Sequence, residues 1–126
     1  MEKEFIETKN APEAVGPYSQ GVKVGNIIFT SGQLPIVPET GDMIKDDIRK
    51  ATIQSLNNML AVIEAGGGTL KDIVKVNIYV KNMDDFGVIN EEYDKFFSGH
   101  KPARSCVEAS RLPKDGIIEI EAIAVL

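Results

Sequence analysis

The stretch from Ile117 to Leu126 alternates without interruption, and this constrains the fold more than any other feature of the chain. In an extended strand, successive side chains point to opposite faces. Ile118, Ile120, Ala122, Ala124 and Leu126 therefore share one side, which is uniformly apolar. Ile117, Glu119, Glu121, Ile123 and Val125 share the other, which mixes carboxylates with large apolar groups. The first side needs an apolar cover. The second is neither a normal core face nor a normal solvent face.

The cover comes from two helical segments. From about Asp46 to Ala65, Ile48, Thr52, Leu56, Met59, Leu60 and Ile63 recur at helical spacing. Gly66-Gly67-Gly68 reads as its C-terminal stop. A phosphate-cradling loop would need a following Gly-Lys-Ser/Thr, which is missing. Asp84 to Phe97 reads as a second helix with Phe86, Ile89, Tyr93 and Phe97 on one side, Asp84 as N-cap and Gly99 as stop.

Strands fill the remainder. Gly21 to Val24 and Ile27 to Ser31 flank a Gly25-Asn26 hairpin turn. Pro38 to Gly41 reads as a further turn. Ile73 to Lys81 alternates, with Val74, Val76, Ile78 and Val80 on one face and Lys75, Asn77 and Tyr79 on the other. Ala103 to Ala109 precedes the last strand, and Lys114-Asp115-Gly116 supplies the turn between them. The order predicts an α+β fold: a mixed sheet with both helices on one face. Residues 1–126 fit one domain, at roughly 100–200 residues each.

Two helices cover only one sheet face. A monomer would leave Ile117, Ile123, Val125 and Tyr79 in water, and exposed apolar patches of this kind mark interfaces. A homo-oligomer that buries the second face is expected.

Composition removes several functions. The net charge is -5, and the lysines are scattered, which argues against a nucleic-acid partner held by phosphate contacts. One cysteine, Cys106, allows no internal disulfide and fits a reducing compartment. One histidine, His100, removes multi-histidine metal sites, and no zinc or calcium spacing occurs. No metal site is expected. No apolar run approaches the ~18 residues of a membrane span, and the start of the chain has no apolar signal core. A cytoplasmic protein without a membrane partner is expected.

The residues that could do chemistry are few. Arg104 offers a planar fork that matches a carboxylate in two parallel hydrogen bonds. Arg104, Cys106 and Glu108 share one strand face, expected to be the uncovered one. The anionic partner of Arg104 is then either a ligand or Glu119 or Glu121 in a structural salt bridge. Glu119 and Glu121 form a carboxylate pair that divides acid and base roles if their surroundings differ, and is otherwise a solvated pair. Cys106 is either a thiolate activated by Arg104, with His100 as base, or an inert site-lining thiol.

Several stretches taken together resemble the RidA/YjgF family of reactive-intermediate deaminases. They are Asn10-Ala11-Pro12, Gly16-Pro17-Tyr18-Ser19-Gln20-Gly21, Thr30-Ser31-Gly32-Gln33 and Asp72-Ile73-Val74-Lys75. The most specific run is Pro102-Ala103-Arg104-Ser105-Cys106-Val107-Glu108, followed by Leu112-Pro113 and Ile118-Glu119-Ile120-Glu121-Ala122. The resemblance runs nearly end to end. It implies a chorismate-mutase-like α+β fold, a homotrimer with ligand clefts between subunits, and no cofactor. The implied reaction is hydrolysis of 2-imino acids, such as 2-iminobutanoate and 2-iminopropanoate, to 2-keto acids and ammonia.

Carried onto this sequence, the resemblance assigns carboxylate binding to Arg104 and the attacking water to Glu119. It places Tyr18, Ser31, Gly32, Asn90 and Cys106 in the substrate site. One departure stands out: Lys101 precedes Pro102 where many relatives carry an aromatic residue, and the loop from Gly99 is short. The competing readings are a non-catalytic metabolite-binding or regulatory trimer, a ribonuclease or translation inhibitor, and a holdase.

Overall fold

The computed structural model describes every residue, Met1–Leu126. Six strands form one mixed sheet. They are β1 (Lys3–Ile6), β2 (Gly21–Val24), β3 (Ile27–Thr30), β4 (Ile73–Val80), β5 (Ala103–Glu108) and β6 (Ile118–Val125). Helix α1 spans Ile48–Ala65 and α2 spans Phe86–Phe97. The strand order is β1-β2-β3-β6-β4-β5, with β4 and β5 parallel and every other pair antiparallel. A parallel pair needs a crossover, and α2 supplies it.

The predicted helices and five of the strands are present. Strand β1 was not foreseen: Lys3-Glu4-Phe5-Ile6 is mostly charged, and it becomes a strand by pairing along the β2 edge, Phe5 opposite Val22. The Gly25-Asn26 turn forms, with Gly25 at φ 59 and Val24 paired to Ile27. Helix α1 begins as its sequence suggests: Asp47 is the N-cap and accepts from the Lys50 backbone N–H at 3.0 Å. The start of α2 differs. Asn82, not Asp84, is the residue whose side chain caps, accepting from Asp84 N–H at the head of a single 3-10 turn, Met83–Asp85, that leads into α2. At the other end Ser98 takes the left-handed cap at φ 47, one residue before Gly99.

The core lies between the helices and one sheet face. Ile118, Ile120, Ala122 and Ala124 of β6 are buried, as are Val76, Ile78 and Val80 of β4. Leu56, Met59, Val62 and Ile63 of α1 and Ile89, Tyr93 and Phe97 of α2 meet them. Truncating one of the fully buried residues to alanine costs about 2–5 kcal/mol. An ion pair also joins the helices: Arg49 donates to Glu92 at 2.6 Å and to Glu91 at 3.0 Å. The Arg49 guanidinium holds the Glu92 carboxyl below its ordinary value.

The alternation predicted for β4 fails at its start. Ile73 pairs with Ala124, but Lys75 pairs with the next residue along β6, Ile123. The extra residue is a β-bulge at Val74, which turns Ile73 into the core and leaves Val74 exposed. Leu126 lies past the end of β6 and is partly exposed rather than inward-facing.

The second sheet face has no helix over it. Phe29, Val107 and Val125 are each at least 40% exposed, and Tyr79, Glu121 and Ile123 are half-buried. Here Asn77 and Tyr79 both donate to Glu121, at 3.0 and 3.3 Å.

Candidate functional site

Arg104 does not sit where alternation alone placed it. In the sheet register it stands beside Val76, which stands beside Ala122, so all three point to the helix-covered side. Glu119 stands beside Tyr79 on the opposite side. The expectation failed because strand parity says which residues share a face, not which face it is. Strand β5 is at the sheet edge, where the inner side opens past α2 instead of ending in closed core. Neither Glu119 nor Glu121 is therefore the partner of Arg104, and none of the ion pairs in the structure includes it. The structural salt-bridge reading is excluded for the single chain.

The surroundings of Arg104 come from α2. Phe86, Asn90, Tyr93 and Phe97 lie four, three and four residues apart, a spacing that puts them on one helix face. The guanidinium carbon lies 4.7 Å from the Tyr93 ring centroid and 5.4 Å from that of Phe86, in cation–π contact. Arg104 Nη1 donates to Asn90 Oδ1 at 2.8 Å. Its only side-chain hydrogen-bond partner is thus neutral, and although Glu91 and Asp94 also line the cleft, no carboxylate pairs with the guanidinium. The cleft here has a volume of about 490 Å3, and Asn90, Tyr93, His100, Lys101 and Arg104 are among its lining residues. Tyr93 was foreseen only as a core residue. An asparagine set within an apolar helical stripe was the available signal for this face.

Cys106 is half-buried, two residues along β5 on the same side as Arg104. Burial pushes its thiol above the ordinary value, and the positive charge of Arg104 opposes this only in part. The activated-thiolate reading loses its physical basis. His100 does not serve it either: His100 Nε2–H donates to the Ile73 carbonyl at 2.7 Å, which ties the loop before β5 to the start of β4.

Glu119 belongs to a second cleft of about 330 Å3, lined among others by Tyr18, Ser31, Gly32, Lys114 and Glu119. The local fold explains the gathering. After β3, Gln33 pairs with Ile120 through two backbone hydrogen bonds of 2.8 and 3.1 Å, which lays Gly32 against Glu119. A Cβ at position 32 would stand 2.7 Å from Glu119 Cδ, so only glycine leaves the carboxylate this place. Buried Asn58 holds the next loop, donating to the carbonyls of Leu34 and Ile36 at 3.1 and 2.8 Å.

Buried Gln20 ties down the opposite wall. It accepts from Thr8 N–H at 2.7 Å and donates to the carbonyls of Thr8, Ala11 and Pro12, while Ser31 Oγ donates to the Ser19 carbonyl. Sequence reasoning missed Gln20 and Asn58, because a buried amide is indistinguishable in sequence from a surface one. Desolvation raises the Glu119 carboxyl above its ordinary value, and the like charge of Glu121 adds to this. No group of three or more His, Cys, Asp or Glu side chains is clustered so as to hold a metal ion. No helix is long and apolar enough to cross a membrane.

The predicted residues thus fall into two half-sites. Asn90 and Arg104 line one, with Cys106 on the same side of β5 but outside that cleft, and Tyr18, Ser31, Gly32 and Glu119 line the other, with Arg104 and Glu119 on opposite sides of the sheet.

The chain as a whole is similar to known proteins. The family model described as endoribonuclease L-PSP matches residues 8–126. A RutC family protein of Pyrococcus horikoshii is 54% identical over 122 residues, covering 97% of each chain. The 2-iminobutanoate/2-iminopropanoate deaminase of Escherichia coli K12 is 53% identical over 123 residues, covering 95% of each. Among solved structures, E. coli TdcF with bound serine superposes with a TM-score of 0.94 at 46% identity, covering 98% of each chain. The YjgF gene product of E. coli gives 0.93 at 51% identity, covering 97% of this chain and 98% of that one.

Proposed function

Because the chain belongs to the endoribonuclease L-PSP family, also called RidA/YjgF, we propose that it hydrolyses 2-imino acids to 2-keto acids and ammonia. Relatives of about 50% identity that carry the name 2-iminobutanoate/2-iminopropanoate deaminase support the reaction class. The observation that carries the reading for this chain is the guanidinium of Arg104, paired with no carboxylate and oriented by neutral Asn90 over two aromatic rings. A site of that kind is built for an anion that arrives from outside.

In this reading Arg104 of one copy and Glu119 of a neighbouring copy complete one site. The separation of the two residues on opposite sheet faces favours a shared site over one within a chain, and the apolar second face supplies the surface for assembly. The assembly we propose is a homotrimer with clefts between subunits. Arg104 binds the substrate carboxylate and so fixes the adjacent C=N carbon. Tyr18, Ser31, Gly32, Asn90 and Cys106 line the shared cleft.

Glu119, as carboxylate, takes a proton from a water whose oxygen bonds to the carbon of the protonated imine, and the C=N π pair moves onto nitrogen to leave an amino group. The protonated Glu119 then returns its proton to nitrogen. The C–N bond breaks and ammonia leaves with its electron pair, while the hydroxyl gives its proton to Glu119, now a carboxylate again, and the keto C=O forms; Glu119 then releases that proton to solvent. A carboxyl raised by desolvation suits this exchange better than an ordinary one, since it holds the proton it takes more firmly before passing it to nitrogen.

The test is imino-acid decay in an assay coupled to a pyridoxal-phosphate-dependent dehydratase. Arg104→Ala should lose about 3 kcal/mol of transition-state binding, or ~10²-fold in kcat/KM. Activity near that of the unaltered protein would overturn the carboxylate-clamp role.

A further inference from the structure

The turn entering β6 is strained, and the strain lies at the Glu119 cleft. Lys114 (φ 57, ψ 24) and Asp115 (φ 56) are consecutive non-glycine residues in the left-handed region. Each such residue is costly for an L-amino acid, and persists only where its surroundings over-determine it. Here the surroundings are visible. Arg111 grips Asp115 with two hydrogen bonds, at 2.7 and 3.4 Å, and Pro113 and Gly116 bracket the turn. Gly116 packs so closely that a Cβ there would stand 2.8 Å from Leu34. Lys114 itself receives nothing for its conformation: it is exposed, and makes no ion pair and no side-chain hydrogen bond.

Its position in the cleft gives the conformation a purpose. The cleft that holds Glu119 is lined by two carboxylates, Glu13 and Glu119, and by one cation, Lys114. The protein as a whole carries a net charge of -5. An anionic substrate approaching this half-site meets a repulsive field that Lys114 alone offsets from within the chain, while Arg104 of the proposed neighbouring copy holds the substrate once it has arrived. We propose that Lys114 is a substrate-steering residue, held at the mouth of the Glu119 cleft by the strained turn to draw in anionic substrates. The inference rests on the reading that the substrate is an imino acid.

Steering acts on encounter and not on the chemical step, so it appears in kcat/KM and in its dependence on ionic strength. The experiment compares the unaltered protein with Lys114→Gly, Lys114→Asn and Lys114→Arg, at low and at high salt, in the dehydratase-coupled assay. Glycine and asparagine both tolerate φ > 0 without the charge. Each should lower kcat/KM at low salt by roughly three- to ten-fold, flatten its salt dependence and leave kcat unchanged. Lys114→Arg should keep both the rate and the salt slope. Lys114→Gly should also raise Tm by about a few degrees, since it removes strain.

Two results would overturn the proposal. One is a salt slope in Lys114→Gly and Lys114→Asn equal to that of the unaltered protein, with imine decay still accelerated, which leaves the function standing. The other is an unaltered protein that does not accelerate decay at all, which removes the function and the steering role together.

Discussion

Arg104 donates to Asn90 Oδ1 at 2.8 Å, so the guanidinium is held in its cleft by a neutral side chain. This bond orients the guanidinium while leaving its charge for a ligand. Asn90→Ala should free the fork and raise KM by roughly five-fold, about 1 kcal/mol. Asn90→Asp should do more harm than alanine, although it keeps the shape. A carboxylate there pairs with Arg104 and competes with the substrate, raising KM about ten-fold or more. Steady-state kinetics with the two variants side by side checks the order.

Gly32 and Glu119 make a second test. A methyl at position 32 meets the end of a flexible side chain, so the carboxylate moves and the backbone stays. Gly32→Ala should therefore fold normally yet lose ~10- to 10²-fold in kcat with little change in KM, because a displaced base no longer aligns the water. Thermal unfolding and kinetics on one preparation separate the two effects.

The raised carboxyl of Glu119 predicts a stability effect of definite sign. Its proton is bound more tightly in the folded state than in the unfolded one. Stability is therefore lost as pH rises from the ordinary value of 4.5 through the higher folded value. Glu119→Gln removes that loss. The variant should unfold at a higher temperature than the unaltered protein at pH 7, and the gap should close below about pH 4. A scanning melt across pH reads it directly.

Cys106 should be dispensable. A thiol held above its ordinary value by burial is a poor nucleophile, and His100 is engaged with the Ile73 carbonyl. Cys106→Ala should keep kcat within about three-fold, and the thiol of the unaltered protein should react slowly with iodoacetamide at pH 7.

Much of the fold was legible because strand β6 and helix α1 have unambiguous periods. The inward positions of Ile118, Ile120, Ala122 and Ala124 and of Thr52, Leu56, Met59 and Ile63 follow from spacing alone, while buried Asn58 and Val62 do not. Strand β1 was not legible, since Lys3 to Phe5 gain their conformation from the β2 edge and not from burial. The Val74 bulge was not legible either, because Ile73 and Val74 are equally apolar and only the pairing with β6 chooses between them.

The site residues were named on resemblance, and spacing could not divide them. Whether Arg104 and Glu119 share a sheet face depends on how β5 and β6 each align with β4, which lies between them. Nor does sequence reveal that Gly32 touches Glu119, a contact made only once Gln33 pairs with Ile120.

The central claim is that Arg104 of one copy and Glu119 of another act on one substrate. Subunit mixing tests it most directly. Arg104→Ala and Glu119→Gln homomers, each impaired alone, are unfolded together, refolded as mixed assemblies and assayed for imino-acid decay. A shared site predicts that activity returns in the mixture, since some interfaces then join an intact Arg104 to an intact Glu119. A mixture no more active than the average of the two variants would contradict the account.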